Sequence, residues 1–225
     1  MNDLIRSAQS KGDQALSEYG AKRVLEAYGI PVTRESLVQT RDEAVTAARA
    51  IGYPVVVKAC SPRLMHKSEA GAVALGIPDD ATLLKTYDRI TASVKPPLEG
   101  VLIQEMVHGQ RELVVGLTRD PQFGPCVMLG LGGVLTEALK DMVFRVAPFD
   151  HTEALDMMDE LRSKAILEQF RGQAPADRKT LSEILIAIGR IGLERAEIDE
   201  IDVNPIIIDP LGRIKAVDAL FVLAG

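Results

Sequence analysis

The sequence predicts a mixed α/β fold of the α+β kind, built on antiparallel hairpins rather than a strict βαβ alternation. Three observations support this. Helical segments carry clear start and stop signals, short β-rich runs follow one another without intervening helices, and the tail from Glu200 to Asp218 reads as two strands around Asp209-Pro210-Leu211-Gly212. No internal repeat or low-complexity tract interrupts the chain.

The elements follow in order. Residues 1–15 are polar and read as a linker or frayed helix. Leu16 to Tyr28 is helical, with Leu16, Tyr19, Val24, Leu25 and Tyr28 near helical spacing, and Gly29 and Pro31 end it. Val32 to Gln39 is extended. Thr40-Arg41-Asp42-Glu43 is a capping-box pattern opening a helix to Ile51, and Gly52 closes it. Tyr53 to Cys60 is a β-rich run, Ser61 to Gly71 a polar loop, and Ala72 to Ile77 a strand. A helix is expected from Asp80 to Val94, stopped by Pro96-Pro97. Strands are expected at Val101–Val107, Leu113–Leu117, Val127–Val134 and Val143–Ala147, the third running into Gly130-Leu131-Gly132-Gly133. Helices are expected at Glu153–Phe170 and Arg178–Glu194, then strands at Glu197–Ile208 and Ile214–Phe221.

The tail is the most informative segment. Side chains alternate along a strand, so Asp202 and Asn204 share a face. If the hairpin is centred on Leu211, Asn204 and Asp218 are each seven residues from the centre and lie opposite one another. Directly opposed residues place their Cβ atoms about 5 Å apart. Three oxygen-bearing side chains then share one face of an Ile/Val-rich hairpin. That is a donor set suited to Mg²⁺ carrying a nucleotide phosphate. The competing reading makes them turn formers or solvated residues.

Bulk properties narrow the function. Hydrophobic content of 47% and charged content of 26% are those of an ordinary globular protein. A net charge of −6 disfavours general nucleic-acid binding, and the absence of Trp with only 4% aromatics disfavours single-strand stacking platforms. Cys60 and Cys126 lack a CxxC spacing and indicate a reduced compartment rather than a disulfide scaffold or zinc site. With neither an apolar run of membrane-span length nor a signal-peptide core at the start, a cytoplasmic location is expected.

Four further clusters carry chemistry. Lys58 ends a Val-Val-Val run; its ammonium either snorkels to water or supplies a point charge for a nucleotide phosphate. His66-Lys67-Ser68-Glu69-Ala70-Gly71 sets an imidazole in a polar loop, where it is either solvated or a phosphoryl acceptor. Gln104-Glu105-Met106-Val107, with Glu112 beyond a short connection, resembles a hinge whose backbone reads an adenine edge and whose acids hold ribose; the plain alternative is surface acid on a hairpin. Gly130-Leu131-Gly132-Gly133, with Glu137 nearby, is either a plain turn or a second anion-binding loop. No Walker pattern occurs.

In this order the pieces resemble the ATP-grasp fold. More narrowly, the chain is similar to the nucleotide-binding subunit or domain of ADP-forming acyl-CoA synthetases, the acetate–CoA ligases related to succinyl-CoA synthetase. The resemblance covers residues 15–225 and rests on Leu16-Ser17-Glu18-Tyr19-Gly20-Ala21-Lys22, Pro54-Val55-Val56-Val57-Lys58, His66-Lys67-Ser68-Glu69, Leu102-Ile103-Gln104-Glu105-Met106 and Glu200-Ile201-Asp202-Val203-Asn204-Pro205. It implies two lobes, 16–106 and 107–225, clamping ATP or ADP after a polar extension, 1–15. It implies that Lys58 contacts phosphates, Glu105 and the Val107 backbone bind adenine or its surroundings, and Glu112 binds ribose. Asn204 and Asp218 would ligate Mg²⁺. His66 would carry the phosphoryl group, with Asp202 the acid that steadies the phosphohistidine. The implied reaction is acyl-CoA + ADP + phosphate ⇌ carboxylic acid + CoA + ATP.

Two departures matter. Relatives often carry paired glycines where this chain has Gly71-Ala72, so a methyl group there would crowd a nucleotide-contacting strand. No Rossmann-type CoA-binding region is present, so a CoA-binding α subunit or fused domain is expected as partner, in a hetero-oligomer, and would handle the small acid and acyl-CoA. The readings that compete with this one are a stand-alone carboxylate–amine ligase and a non-catalytic nucleotide sensor.

Overall fold

A computed structural model describes residues 2–64, 71–94, 98–133, 140–169 and 171–224. His66, Glu69 and Glu137 lie outside the described residues.

Among the described residues ten strands form two sheets. The smaller has the order β1-β4-β2-β3, from β1 (Glu35–Val38), β2 (Val55–Cys60), β3 (Val73–Ile77) and β4 (Gly100–Glu105). The larger runs β10-β8-β5-β6-β7, with β9 also paired to β8. Its strands are β5 (Arg111–Asp120), β6 (Gly124–Leu131), β7 (Met142–Val146), β8 (Ile198–Ile208), β9 (Ile214–Ala216) and β10 (Leu220–Leu223). All strand pairings are antiparallel.

Each sheet has its own core. In the smaller one, α3 (Arg41–Ile51) and α4 (Asp80–Ser93) lay Ala44, Ala48, Leu83 and Ile90 against Val55, Val57, Val101 and Ile103. α3 forms where the capping box places it: Thr40 accepts from the Glu43 amide, Glu43 reaches back, and Gly52 leaves the helix at φ 99°. Strand alternation puts Val55, Val57 and Ala59 in this core and turns Lys58 to the opposite face. Ala72 is wholly buried in the same core, so its methyl points into packing and the crowding expected at that position does not arise.

In the larger sheet, α5 (His151–Glu160) and α6 (Arg178–Glu194) cover one face, with Met157, Leu181, Leu185 and Ile188 packed on Val115, Leu117, Val127 and Val203. The opposite face carries Val114, Gly116, Thr118, Glu200, Asp202 and Asn204 around a shallow cleft of about 280 Å³.

Three expectations are corrected. The N-terminal residues form a docked helix, α1 (Asn2–Ser10), with Ile5 buried in the larger core. Beyond it Leu16 donates to the Phe221 carbonyl (2.9 Å) and Leu223 to the Gln14 carbonyl (2.8 Å), so the start of the chain zips onto its end. α2 (Glu18–Ala27) follows the same allegiance, burying Ala21, Val24 and Leu25 in the larger core.

The helix expected over 153–170 stops at Glu160 and gives way to a 3₁₀ turn, Lys164–Leu167. The buried Asp141 carboxylate causes this. It accepts from the amides of Arg162 (3.0 Å) and Ser163 (2.8 Å) and from the Ser163 hydroxyl, drawing off donors that would continue the helix. Burial opposes ionisation of Asp141, but these hydrogen bonds prevail and hold its carboxyl below the usual range.

The last strand is likewise split, into β9 and β10. The register is nevertheless continuous: Ile206 pairs Ala216, Ile208 pairs Ile214, and Asp202 pairs Leu220, all centred on Leu211.

Candidate functional site

The expected opposition of Asn204 and Asp218 follows from that register. The Asn204 amide donates to the Asp218 carbonyl (3.2 Å) and the Val217 amide to the Pro205 carbonyl (3.0 Å), carrying the hairpin through the gap between β9 and β10. Ile201 and Val203 point into the core while Asp202 and Asn204 face the cleft, as alternation requires. Burial, followed by the neighbouring charges of Glu200 and Asp218, pushes the Asp202 carboxyl up to about 6.

Lys58 arrives from the other sheet. It is 4% exposed and does not snorkel. Its ammonium donates to Glu18 Oε1 (2.7 Å) and to the Val217 carbonyl (3.3 Å), and lies 3.6 Å from Asp218 Oδ2. A cation from the smaller sheet thus meets the acid-bearing tail of the larger one. Lys58, far from them in sequence, joins the neighbourhood of Asp202, Asn204 and Asp218 through Asp218.

Among the described residues, no group of three or more His, Cys, Asp or Glu side chains forms a metal cage. The chain offers instead a few hard oxygens, from Asn204, Asp218 and Asp202, the last with its carboxyl raised first by burial and then by the charges of Glu200 and Asp218. That set fits a divalent cation whose remaining ligands are phosphate and water oxygens.

The hinge residues form a second group. Glu105 and Val107 line a cleft of about 480 Å³ with Arg34, His108, Arg213 and Lys215. The Glu105 carboxylate is already engaged: it accepts from the Arg34 amide (2.9 Å), from Arg34 Nε (3.1 Å) and from Lys215 Nζ. Burial opposes its ionisation, but Lys215 and Arg34 outweigh burial and hold it below the usual range. It ties β4 of the smaller sheet to β9 of the larger. Glu112 stands apart from this cleft, on β5 beside the glycine turn. Its carbonyl accepts from the Gly132 amide (2.8 Å), and a Cβ at Gly133 would come within 2.6 Å of its Oε2. The glycines of that turn are therefore required by close approach to Glu112 and Leu113.

Sequence reasoning passed over Glu18 and Lys22 as site residues. Both are buried on α2, and Lys22, 0% exposed, binds Glu18 (2.8 Å), Thr33 (3.1 Å), Gln104 (2.9 Å) and Glu35. The signal was present: positions 18 and 22 fall on the same helical stripe as the apolar Ala21 and Leu25. Charges on a core-facing stripe need partners.

The ATP-grasp domain model matches residues 7–223. The β subunit of acetate–CoA ligase [ADP-forming] I from Pyrococcus furiosus is 41% identical over 226 residues, covering 98% of this chain and 97% of that one. Acetate–CoA ligase [ADP-forming] I of Archaeoglobus fulgidus is 41% identical over 209 residues, covering 91% of this chain but 30% of that longer one. The dinucleotide-forming acetyl-coenzyme A synthetase 1 of Ca. Korarchaeum cryptofilum, solved with coenzyme A and Ca-AMPCP, superposes with a TM-score of 0.93 at 43% identity, covering 99% of both chains. Solved with coenzyme A and Mg-AMPPCP, its phosphohistidine segment pointing towards the nucleotide-binding site, it superposes at 0.88 with 42% identity over 99% of both chains. The chain belongs to the ATP-grasp family, and within it to the β subunits of ADP-forming acyl-CoA ligases.

Proposed function

We propose that this chain is the nucleotide-binding phosphotransfer subunit of an ADP-forming acyl-CoA synthetase. The observation that carries the reading is the meeting of Lys58 and Asp218 across the two sheets, at 3.6 Å. A phosphate-binding cation and a metal-binding acid are brought together where a nucleoside diphosphate has to present its β-phosphate.

Lys58 offsets phosphate charge from the smaller sheet, and Asn204 and Asp218 hold Mg²⁺ from the larger. Bound there, magnesium would neutralise the charge of the transferring phosphoryl group. The backbone at Val107 and the cleft beside Glu105 receive the adenine end, and Glu112 the ribose. His66 carries the phosphoryl group. When ADP is in place the Nimidazole–P bond breaks, a β-phosphate oxygen of ADP forms the new O–P bond, and the ring is left neutral. Asp202 steadies the charged imidazole before transfer. Positioning and charge neutralisation supply the rate.

The acyl-CoA half of the reaction belongs to a CoA-binding partner, as a separate subunit or a fused domain. The β-subunit relatives and the longer single-chain relative support both arrangements. We also place the protein in the cytoplasm; among the described residues no helix is long and apolar enough to cross a membrane.

The test is to incubate the chain with γ-labelled ATP and Mg²⁺, alone and with a CoA-binding partner, and to look for acid-labile, base-stable protein phosphate. Label that is absent from His66→Ala supports the relay. Label undiminished in His66→Ala, or none under either condition while nucleotide still binds, overturns it.

A further inference from the structure

The phosphate lysine is not free to point where it likes. An ammonium has three N–H donors. In Lys58 one donates to Glu18 Oε1 at 2.7 Å and a second to the Val217 carbonyl at 3.3 Å. The third is left for the side of the cleft, where Asp218 Oδ2 stands at 3.6 Å.

Glu18 is itself held. Its side chain is 1% exposed and its Oε1 also takes the Lys22 ammonium at 2.8 Å. Lys22 is fixed from three further sides, by Thr33, Glu35 and Gln104. Lys22 therefore has a carboxylate in Glu35 independent of Glu18, and Glu35 also receives Arg23 at 3.3 Å. Lys58 depends more heavily on Glu18: its other acid, Asp218, is farther away and is the proposed metal ligand. A buried ammonium without a close counter-charge is costly.

We propose that Glu18 is a positioning residue for phosphate binding. It neutralises Lys58 within the fold and holds one of its three donors while the Val217 carbonyl holds a second, so that the remaining one is presented to the β-phosphate of a nucleoside diphosphate. The proposal rests on the reading of Lys58 as a phosphate ligand. It adds to that reading a residue on a different element, α2, with no contact of its own to the nucleotide.

The experiment measures affinities for ADP and for adenosine, with Mg²⁺ present, in the full chain and in Glu18→Gln, Lys58→Ala and the double variant. Adenosine lacks the phosphates, so it reports general damage to the cleft. Loss of one charge-assisted hydrogen bond predicts that Glu18→Gln weakens ADP binding about tenfold. Adenosine affinity is expected to stay within about twofold, and Glu18→Gln to add nothing once Lys58 is alanine. A parallel fall in adenosine affinity, or a full effect of Glu18→Gln in the Lys58→Ala background, overturns the positioning role. So does unchanged ADP affinity in Glu18→Gln when Lys58→Ala loses it. If Lys58→Ala itself keeps full ADP affinity, the phosphate reading of Lys58 fails and this proposal with it. Should the glutamine variant not fold, Glu18→Asp carries the same test. It keeps the charge and withdraws the carboxylate by one carbon, so ADP affinity must fall while adenosine affinity holds.

Discussion

The amide of Asn204 donates to the carbonyl of Asp218 across the last hairpin of the chain, at 3.2 Å. This bond fixes two oxygen-bearing side chains in register, although regular strand pairing between β8 and β9 ends at Ala216. Register, rather than a shared loop, makes them neighbours.

Removing either side-chain donor is therefore expected to weaken the metal without disturbing the hairpin, because the bond between them is made by backbone atoms. Asn204→Ala and Asp218→Asn should each lower Mn²⁺ affinity, measured by electron paramagnetic resonance in the presence of ADP, by about tenfold or more. Wild-type affinity in both variants would remove these residues from the metal site.

Asp202 gives a pH signature in the metal-free protein. Its carboxyl is raised from 3.8 to about 6, first by burial and then by Glu200 and Asp218. The folded chain thus holds this proton more tightly than the unfolded chain does. Stability is lost as pH rises from 3.8 to about 6, and the loss is complete above that range. Asp202→Asn should relieve the penalty. With chelator present, urea unfolding should show the variant gaining about 2 kcal/mol relative to wild type between pH 4 and pH 8. An equal difference at both pH values would show that the carboxyl is not raised.

The glycine turn after β6 predicts a steric effect. A Cβ on Gly132 would sit 2.7 Å from the Leu113 carbonyl oxygen, and backbone cannot swing aside as a flexible side chain can. Gly132→Ala should cost about 1–3 kcal/mol in urea unfolding, the range for overpacking. Unchanged stability would mean that the turn has room to relax.

Much of this was readable from local chemistry. Thr40, Glu43 and Gly52 announce α3 at both ends, and the strong apolar pattern from Arg178 to Glu194 gives α6 its observed limits. The tail register followed from the turn and the period-two alternation, and with it the grouping of Asp202, Asn204 and Asp218. What local pattern does not carry is a partner from elsewhere in the chain. Asp141 ends α5 from a distant position, which no reading of residues 153–170 alone could reveal. Nor could local pattern reveal that Glu105 is held by Arg34 and Lys215, residues from other strands and loops. Lys58 on β2 and Glu18 on α2 meet across forty residues of sequence.

The Lys22 cluster also bears on motion. α2 belongs to the core of the larger sheet, yet its lysine grips Gln104 on β4 and Glu35 on β1 of the smaller one. Pulling these apart would strand a buried charge, at a cost of several kcal/mol. Any rocking of one sheet against the other should therefore leave this contact closed and turn about it. The fulcrum would then be Lys22, and Lys58, held through Glu18 just beside it, would travel little.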